Sequence, residues 1–259
     1  MKTSAIQFNI SLGDIPANLD KVANGTRAAA QAGTRLAVLP EMWSTGYDYK
    51  ALPELARQTP EVLEQVCALS RETGTVLVGS LPERRGDDVF NTSYVVDKGE
   101  VAGRYRKLHL FSVMREDRYL AAGNEAVIVD TSVGRLGLAI CYDLRFPELF
   151  RKLALGGAEI ICLPAEWPKP RQEHWRTLLR ARAIENQMFV AACNCCGIQG
   201  KLDFFGMSLL IDPWGDVLAE GGETDTVIRA DFDLAKMHAF REQIPCFNDR
   251  RPEIYGRLD

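Results

Sequence analysis

One local pattern occurs twice in this chain, about half a chain length apart. Residues 32-AGTRLAVLPEMW-43 and 156-GGAEIICLPAEW-167 each read as a helix end, a buried strand and a Leu-Pro corner. Two readings are open. Any unit that alternates helix and strand can end this way, or the chain folds as two similar halves, each a sheet covered by helices, packed sheet to sheet. The rest of the sequence supports alternation. Strands are expected at Thr3–Phe8, Arg35–Leu39, Thr75–Gly79, Thr92–Asp97, Glu100–Arg104, Ala126–Asp130 and Arg135–Ile140. Further strands are expected at Glu159–Leu163, Phe189–Cys193, Phe205–Ile211 and Thr226–Phe232. Helices are expected near Ala17–Ala32, Pro60–Glu72, Pro147–Leu155 and Arg171–Asn186. Strands separated by helices argue α/β, and strands that follow one another directly argue mixed sheets. Two such halves give a four-layer α-β-β-α sandwich of two mixed sheets. Ligands of such folds collect at strand C-termini, so Glu41, Cys141 and the Ala165–Trp167 corner would share one cleft.

No low-complexity or Pro/Gly/Ser-rich hinge separates compositionally different halves. The 259 residues therefore read as a single domain, 1–259, with 234–259 as a C-terminal arm after the last strand. A formal net charge of −4 supplies no basic field for nucleic acid or an anionic membrane surface. The N-terminal MKTSAIQFNISLGDIP lacks an apolar signal core, and no apolar run approaches the ~20 residues of a membrane span. Seven irregularly spaced cysteines, an odd number, point to free thiols in a reducing cytoplasm.

Cys141, in 138-LAICYDLRFPE-148, stands where an apolar strand breaks into a charged turn before Pro147 opens a helix. A thiol there can serve as a nucleophile, with turn N–H groups to hold an oxyanion. It can equally be a structural cysteine. A nucleophilic thiol needs a base. Of His109, His174 and His238, only His109 in 105-YRKLHLF-111 is well placed, and a Cys–His pair stays open on this pattern. Glu41 follows a buried strand and Pro40 among apolar neighbours, which is expected to raise its pKa toward that of a working general base. Lys107 lies in a loop after a strand, where a cation can approach a cleft. Glu166 competes with Glu41, because it occupies the echoing corner. Bland readings suit the rest. The run 193-CNCC-196 matches no common zinc spacing, Arg145 and Glu148 brace the turn, and Asn91-Thr92-Ser93 and Asn24-Gly25-Thr26 are only formal glycosylation sequons.

LPE at 39–41, YRKLHLF at 105–111 and CYDLRFPE at 141–148 resemble, in order and spacing, the three motifs of the nitrilase (carbon–nitrogen hydrolase) superfamily. The opening AIQFNISLGDIPANLDKV and 180-RARAIENQMFV-190 fit as well, so the resemblance spans residues 2 to 233. It implies the four-layer sandwich and a Glu–Lys–Cys triad of Glu41, Lys107 and Cys141, with Glu116 as the second glutamate that holds Lys107. It makes Glu166 part of the pocket lining rather than the base. It implies hydrolysis of a small linear amide through a Cys141 thioester, with Lys107 and the Tyr142 N–H on the oxyanion and no metal or organic cofactor. Homodimers are implied too, packed through helices near the cysteine turn and the helix carrying 180–185. The segment 164-PAEWPKPRQEHWRTLLRARAIENQ-187 most resembles the ω-amidase-like branch. That suggests the terminal amide of 2-oxoglutaramate or 2-oxosuccinamate, with Tyr142, Ala165, Glu166, Trp167 and Arg171 (or Lys169) as substrate contacts and Trp175 narrowing the pocket. An N-carbamoyl amino acid hydrolase, a nitrilase or a catalytically silent scaffold are the alternatives.

Overall fold

The computed structural model describes residues 1–256, so residues 257–259 of the expected arm lie outside the described residues. In chain order the strands are β1 (Lys2–Gln7), β2 (Leu36–Val38), β3 (Val76–Arg85), β4 (Asp88–Asp97), β5 (Glu100–Arg106), β6 (Ile128–Thr131) and β7 (Gly134–Leu138). They continue as β8 (Ile160–Ala165), β9 (Phe189–Asn194), β10 (Cys196–Gln199), β11 (Leu202–Phe205), β12 (Leu209–Ile211), β13 (Val217–Glu220) and β14 (Thr226–Asp231). The helices are α1 (Ile15–Gln31), α2 (Leu52–Leu55), α3 (Thr59–Thr73), α4 (Pro147–Leu155), α5 (Gln172–Asn186), α6 (Leu234–Gln243) and α7 (Pro252–Tyr255).

The strands form two six-stranded mixed sheets, ordered β14-β1-β2-β3-β4-β5 and β13-β12-β9-β8-β7-β6, plus a separate β10–β11 hairpin. Read from opposite ends, the two sheets have one design. An antiparallel edge strand (β14 or β6) precedes three parallel strands (β1-β2-β3 or β7-β8-β9), and two antiparallel strands (β4-β5 or β12-β13) close the sheet. The duplicated Leu-Pro corner thus marks a true pseudo-twofold, with β2 and β8 as counterparts. β1, β2 and β3 pack against β8, β9 and β12, while α1 and α3 cover the outer face of one sheet and α4 and α5 that of the other. The result is the expected four-layer sandwich.

Local chemistry explains the pieces. β2 and β8 are buried along their whole length, as parallel strands covered on both faces must be. α1 starts where the Asp14 carboxylate accepts from the Ala17 N–H, with Pro16 in the first turn, and it turns Ile15, Val22 and Ala29 inward. α3 buries Val62, Val66 and Leu69 and stops at Gly74, whose φ of 64° is left-handed.

Two expectations change. Phe205–Ile211 is not one strand, because Gly206 and Met207 take φ of 68° and 55° and break it. A Cβ at Gly206 would lie 2.2 Å from the Gly222 carbonyl, so the break requires glycine. The expected arm begins instead as α6, capped by Asp233 and buried through Met237 and Phe240.

Candidate active site

Cys141 sits on the corner that its sequence suggested. β7 ends at Leu138, Cys141 itself holds a positive φ of 44°, and a single tight 3-10 turn, Cys141–Arg145, leads to Pro147 and α4. A non-glycine residue in that region is strained and must be held. Asp143 holds it. Its Oδ2 accepts from the Ile140 N–H (2.8 Å) and the Tyr105 hydroxyl (2.7 Å). Its Oδ1 accepts from the His109 N–H (3.1 Å) and faces His109 Nδ1 (2.7 Å). The His109 ring also stacks on Phe146, with centroids 3.7 Å apart. His109 is therefore occupied with the turn, not with the thiol. The Tyr105/Lys107/His109 segment and the cysteine turn are locked as one unit, and Lys107 rides between two of the anchors.

Glu41 follows β2 and is fully buried, as is Lys107. Its Oε1 accepts from Lys107 Nζ (2.8 Å), the Tyr47 hydroxyl (2.6 Å) and Asn91 Nδ2 (2.7 Å). Its Oε2 accepts from the Glu166 N–H (2.8 Å). The Cys141 thiol reaches the Glu166 carbonyl at 3.8 Å and lies close enough to the Glu41 side chain for the two to perturb each other. Lys107 Nζ contacts Glu116 on its other side at 2.8 Å, and Glu116 Oε2 in turn accepts from the Phe111 N–H (3.1 Å). Glu41, Lys107, Glu116 and Cys141 are thus brought into one buried cluster.

Its electrostatics correct one expectation. Burial does push the Glu41 carboxyl upward, but the Lys107 charge and the bonds from Lys107, Tyr47 and Cys141 outweigh it, so Glu41 ends below the usual carboxylate range. Burial would strip Lys107 of its proton, yet Glu116 and Glu41 raise it well above the ordinary lysine value. Glu116 is raised by burial and by the Glu41 charge, against the pull of Lys107. Burial and Glu41 push the Cys141 thiol well up. The resting pair is accordingly a thiol beside a carboxylate.

Cys141 opens into a narrow pocket lined by Phe111, Met114, Glu116, Tyr142, Arg145, Glu166, Trp167, Pro168 and Arg171. Of the expected contacts, Tyr142, Glu166, Trp167 and Arg171 line it. Ala165 does not. It is buried, and its carbonyl receives the N–H groups of Glu41 (3.4 Å) and Cys195 (3.1 Å). Lys169 points to Asp203 and Glu223 at the surface. Trp175 is fully buried behind Trp167, where its Nε1 donates to the Met207 carbonyl. Arg145 is more than a brace. Its guanidinium lies 4.8 Å over the Trp167 ring and lines the pocket, while Arg171 lies 5.5 Å over Phe111. Among the described residues no group of three or more His, Cys, Asp and Glu is placed to hold a metal ion. Cys193 instead reaches the Ile6 carbonyl and Cys196 reaches Asp225.

Tyr47, Asn91 and Asp143 escaped the sequence reading. Asn91 begins the polar run Asn91-Thr92-Ser93 of β4, which reads as a sequon and does not distinguish it from its neighbours.

Over residues 2–242 the sequence matches the family model of the carbon–nitrogen hydrolases. The chain belongs to that family. The 2-oxoglutaramate amidase of Bacillus subtilis (strain 168) is 44% identical over 97% of this chain and 98% of its own. Human omega-amidase NIT2 is 32% identical over 92% of this chain and 91% of its own. In structure, Saccharomyces cerevisiae Nit3, a nitrilase-superfamily member, superposes with a TM-score of 0.89 at 30% identity, covering 97% and 96% of the two chains. An amidase of Nesterenkonia sp. AN1 bearing an acrylamide adduct on its active-site cysteine superposes at 0.88, with 27% identity and 98% of each chain covered. As a carbon–nitrogen hydrolase, this protein is an enzyme that cleaves amide C–N bonds.

Proposed function

We propose that this enzyme is an ω-amidase that hydrolyses the terminal amide of 2-oxoglutaramate or 2-oxosuccinamate to the acid and ammonia. One observation carries the reading: the Cys141–Glu41–Lys107 cluster opens into a narrow pocket that also holds two guanidinium groups, Arg145 and Arg171. A carboxylate at the far end of a short acyl chain matches such a pair, and Trp167 with Phe111 leaves room for little else. The 2-oxoglutaramate amidase of Bacillus subtilis, at 44% identity, supports the same substrate class.

Glu41 takes the Cys141 proton as the sulfur bonds to the amide carbon. Lys107 Nζ and the Tyr142 N–H receive the charge that develops on the carbonyl oxygen. The tetrahedral intermediate collapses, Glu41 passes its proton to the departing nitrogen, and ammonia leaves an acyl thioester. Glu41 then removes a proton from water, which attacks the thioester, and the proton returns to the sulfur as the acid departs. Glu116 keeps Lys107 charged and in place.

We place the enzyme in the cytoplasm, where its seven unpaired cysteines suit a reducing medium, and as a homodimer. No helix among the described residues is long and apolar enough to cross a membrane. The dimer reading rests on Ile184 of α5 and on Ile254 and Tyr255 of the tail, all exposed apolar side chains. Ammonia release from 2-oxoglutaramate, an N-carbamoyl amino acid and a simple nitrile tests the function. Highest kcat/KM on 2-oxoglutaramate is expected, and faster carbamoyl or nitrile turnover refutes it. Light scattering that reports a monomer at micromolar concentration refutes the dimer.

A further inference from the structure

Glu166 stands one residue beyond β8, at the corner that mirrors the one bearing Glu41. Its main chain is committed on both sides, the N–H to Glu41 Oε2 at 2.8 Å and the carbonyl to the Cys141 thiol at 3.8 Å. Its carboxyl is not. The residue is 2% exposed, its side chain lines the pocket beside Cys141 and Trp167, and Oε1 has no hydrogen-bond partner among the described residues. Lys107 is already taken by Glu41 and Glu116. A buried polar atom left without a partner is costly, and one on the wall of a pocket beside the reactive thiol is placed for a bound ligand to satisfy it.

The surroundings decide which form of the carboxyl waits. Burial, with the charges of Glu41 and Glu116, drives it well above the usual carboxylate range, against a smaller pull from Lys107. Arg145, Arg171, Tyr142 and Cys141 are the other polar or titratable groups around the same pocket, and the buried Cys195 thiol is a further neighbour. The two arginines face Trp167 and Phe111 rather than the carboxyl.

The substrate then sorts itself by charge. Its reacting carbonyl oxygen goes to Lys107 and the Tyr142 N–H, its nitrogen to Glu41, and its carboxylate to the arginines. A neutral O–H donor remains, and so does one uncharged acceptor on the acyl chain. We propose that Glu166 is a specificity-determining residue that donates its carboxyl O–H to an uncharged oxygen of the acyl chain, the 2-oxo oxygen of a 2-oxo ω-amide. This rests on the ω-amidase reading above.

The test compares 2-oxoglutaramate with glutaramate, which lacks the 2-oxo group, on wild type, Glu166→Gln and Glu166→Leu. Wild type is expected to prefer the oxo substrate in kcat/KM by about tenfold or more. Glu166→Gln, whose amide N–H still donates, keeps the preference. Glu166→Leu brings the ratio toward one, chiefly through a higher KM for 2-oxoglutaramate. An unchanged ratio in Glu166→Leu, or equal proportional loss on both substrates, overturns the proposal. Infrared difference spectra of wild type minus Glu166→Gln read the carboxyl with no substrate present. A protonated-acid carbonyl band near neutral pH supports the donor role, and carboxylate bands overturn it. Should wild type hydrolyse neither amide, the ω-amidase reading falls by itself, and the infrared bands still decide whether Glu166 is a donor.

Discussion

Replacing Lys107 by methionine removes the one cation from the centre of the buried cluster of Glu41, Lys107, Glu116 and Cys141 while keeping the bulk of the side chain. Nζ lies 2.8 Å from both Glu41 and Glu116, and the three side chains are 0%, 0% and 2% exposed. Without it, two buried carboxylates share the Tyr47 hydroxyl at 2.6 and 3.2 Å. Breaking a buried ion pair from one side costs about 3–5 kcal/mol. At about 2–4 °C per kcal/mol for a chain of this size, the melting temperature should fall by about 6–20 °C. Total stability is about 5–15 kcal/mol, which leaves most of this range to a folded variant. The loss should also depend on pH with a definite sign. In wild type, Glu41 is depressed, so its contribution is present above the ordinary carboxylate value and is lost as pH falls through the lower one. In Lys107→Met both carboxyls are raised above that value by burial and mutual repulsion. Their contribution is then present at low pH and lost as pH rises above about 4.3. The deficit against wild type should therefore widen from mildly acid to neutral solution. Activity should drop about a hundredfold to a thousandfold with the oxyanion donor gone. Adding Glu116→Gln removes the repulsion, so the double variant should melt closer to wild type and stay inactive. Circular-dichroism melts at two pH values and ammonia-release kinetics measure all of this. A single variant that melts like wild type would refute the charged cluster, and an active double variant would refute Lys107 as the oxyanion donor.

Cys141→Ala should fold normally and turn nothing over, and peptide mass spectrometry of wild type with a slow substrate should place the acyl adduct on Cys141; an adduct on Cys193 or Cys196 would displace it as nucleophile. Asp143→Asn puts an NH2 group either against the Ile140 and Tyr105 donors or against those of His109, and should cost about 1–3 kcal/mol in denaturant melts. Because a misplaced thiol can cost up to about a hundredfold, its kcat should fall at least tenfold, and a wild-type kcat would show that the turn holds without this anchor. The acid limb of kcat/KM should lie below the ordinary glutamate value of about 4.3, because Glu41 must be ionised to act and Lys107 keeps it so. A limb near pH ~6 would mean that a raised carboxyl, and not Glu41, is the base.

The fold was legible because its strongest signals are local: two Leu-Pro corners, Gly and Pro at helix ends, and apolar runs of strand length. Cys141, Glu41 and Lys107 could be picked out because each stands where a strand gives way to a turn. What escaped depends on partners far along the chain. The Glu41 carboxyl was expected to be raised because its sequence neighbours are apolar, and it is lowered because Lys107 arrives from 66 residues away. Asn91 and Tyr47 serve Glu41 from a strand and a loop that carry no mark of it. Asp143 looks like any turn aspartate until Tyr105 and His109 are seen to converge on it. Ala165 and Lys169 sit beside true pocket residues in sequence, and Trp175 lies about one helical turn from Arg171, but a strand carbonyl, a surface ion pair and a helix packing face claim them. The Phe205–Ile211 run hid its break because one glycine in an apolar stretch does not announce a left-handed backbone.

The two Leu-Pro corners are tied to each other across the sheets: the Glu41 N–H donates to the Ala165 carbonyl, and the Glu166 N–H returns a bond to the Glu41 carboxylate. The base is thus aimed by one corner while its strand belongs to the other sheet, so neither part of the polypeptide owns a working centre. A chain severed in the segment between β5 and β6 would yield one fragment with Glu41 and Lys107 and another with Cys141 and Glu166. The first fragment would also lack β14, the edge strand that the C-terminal part lends to its sheet. Each fragment alone should be inert, and ammonia release on mixing should rise with the product of the two fragment concentrations. Turnover then becomes a direct count of how many pairs of sheets have found each other.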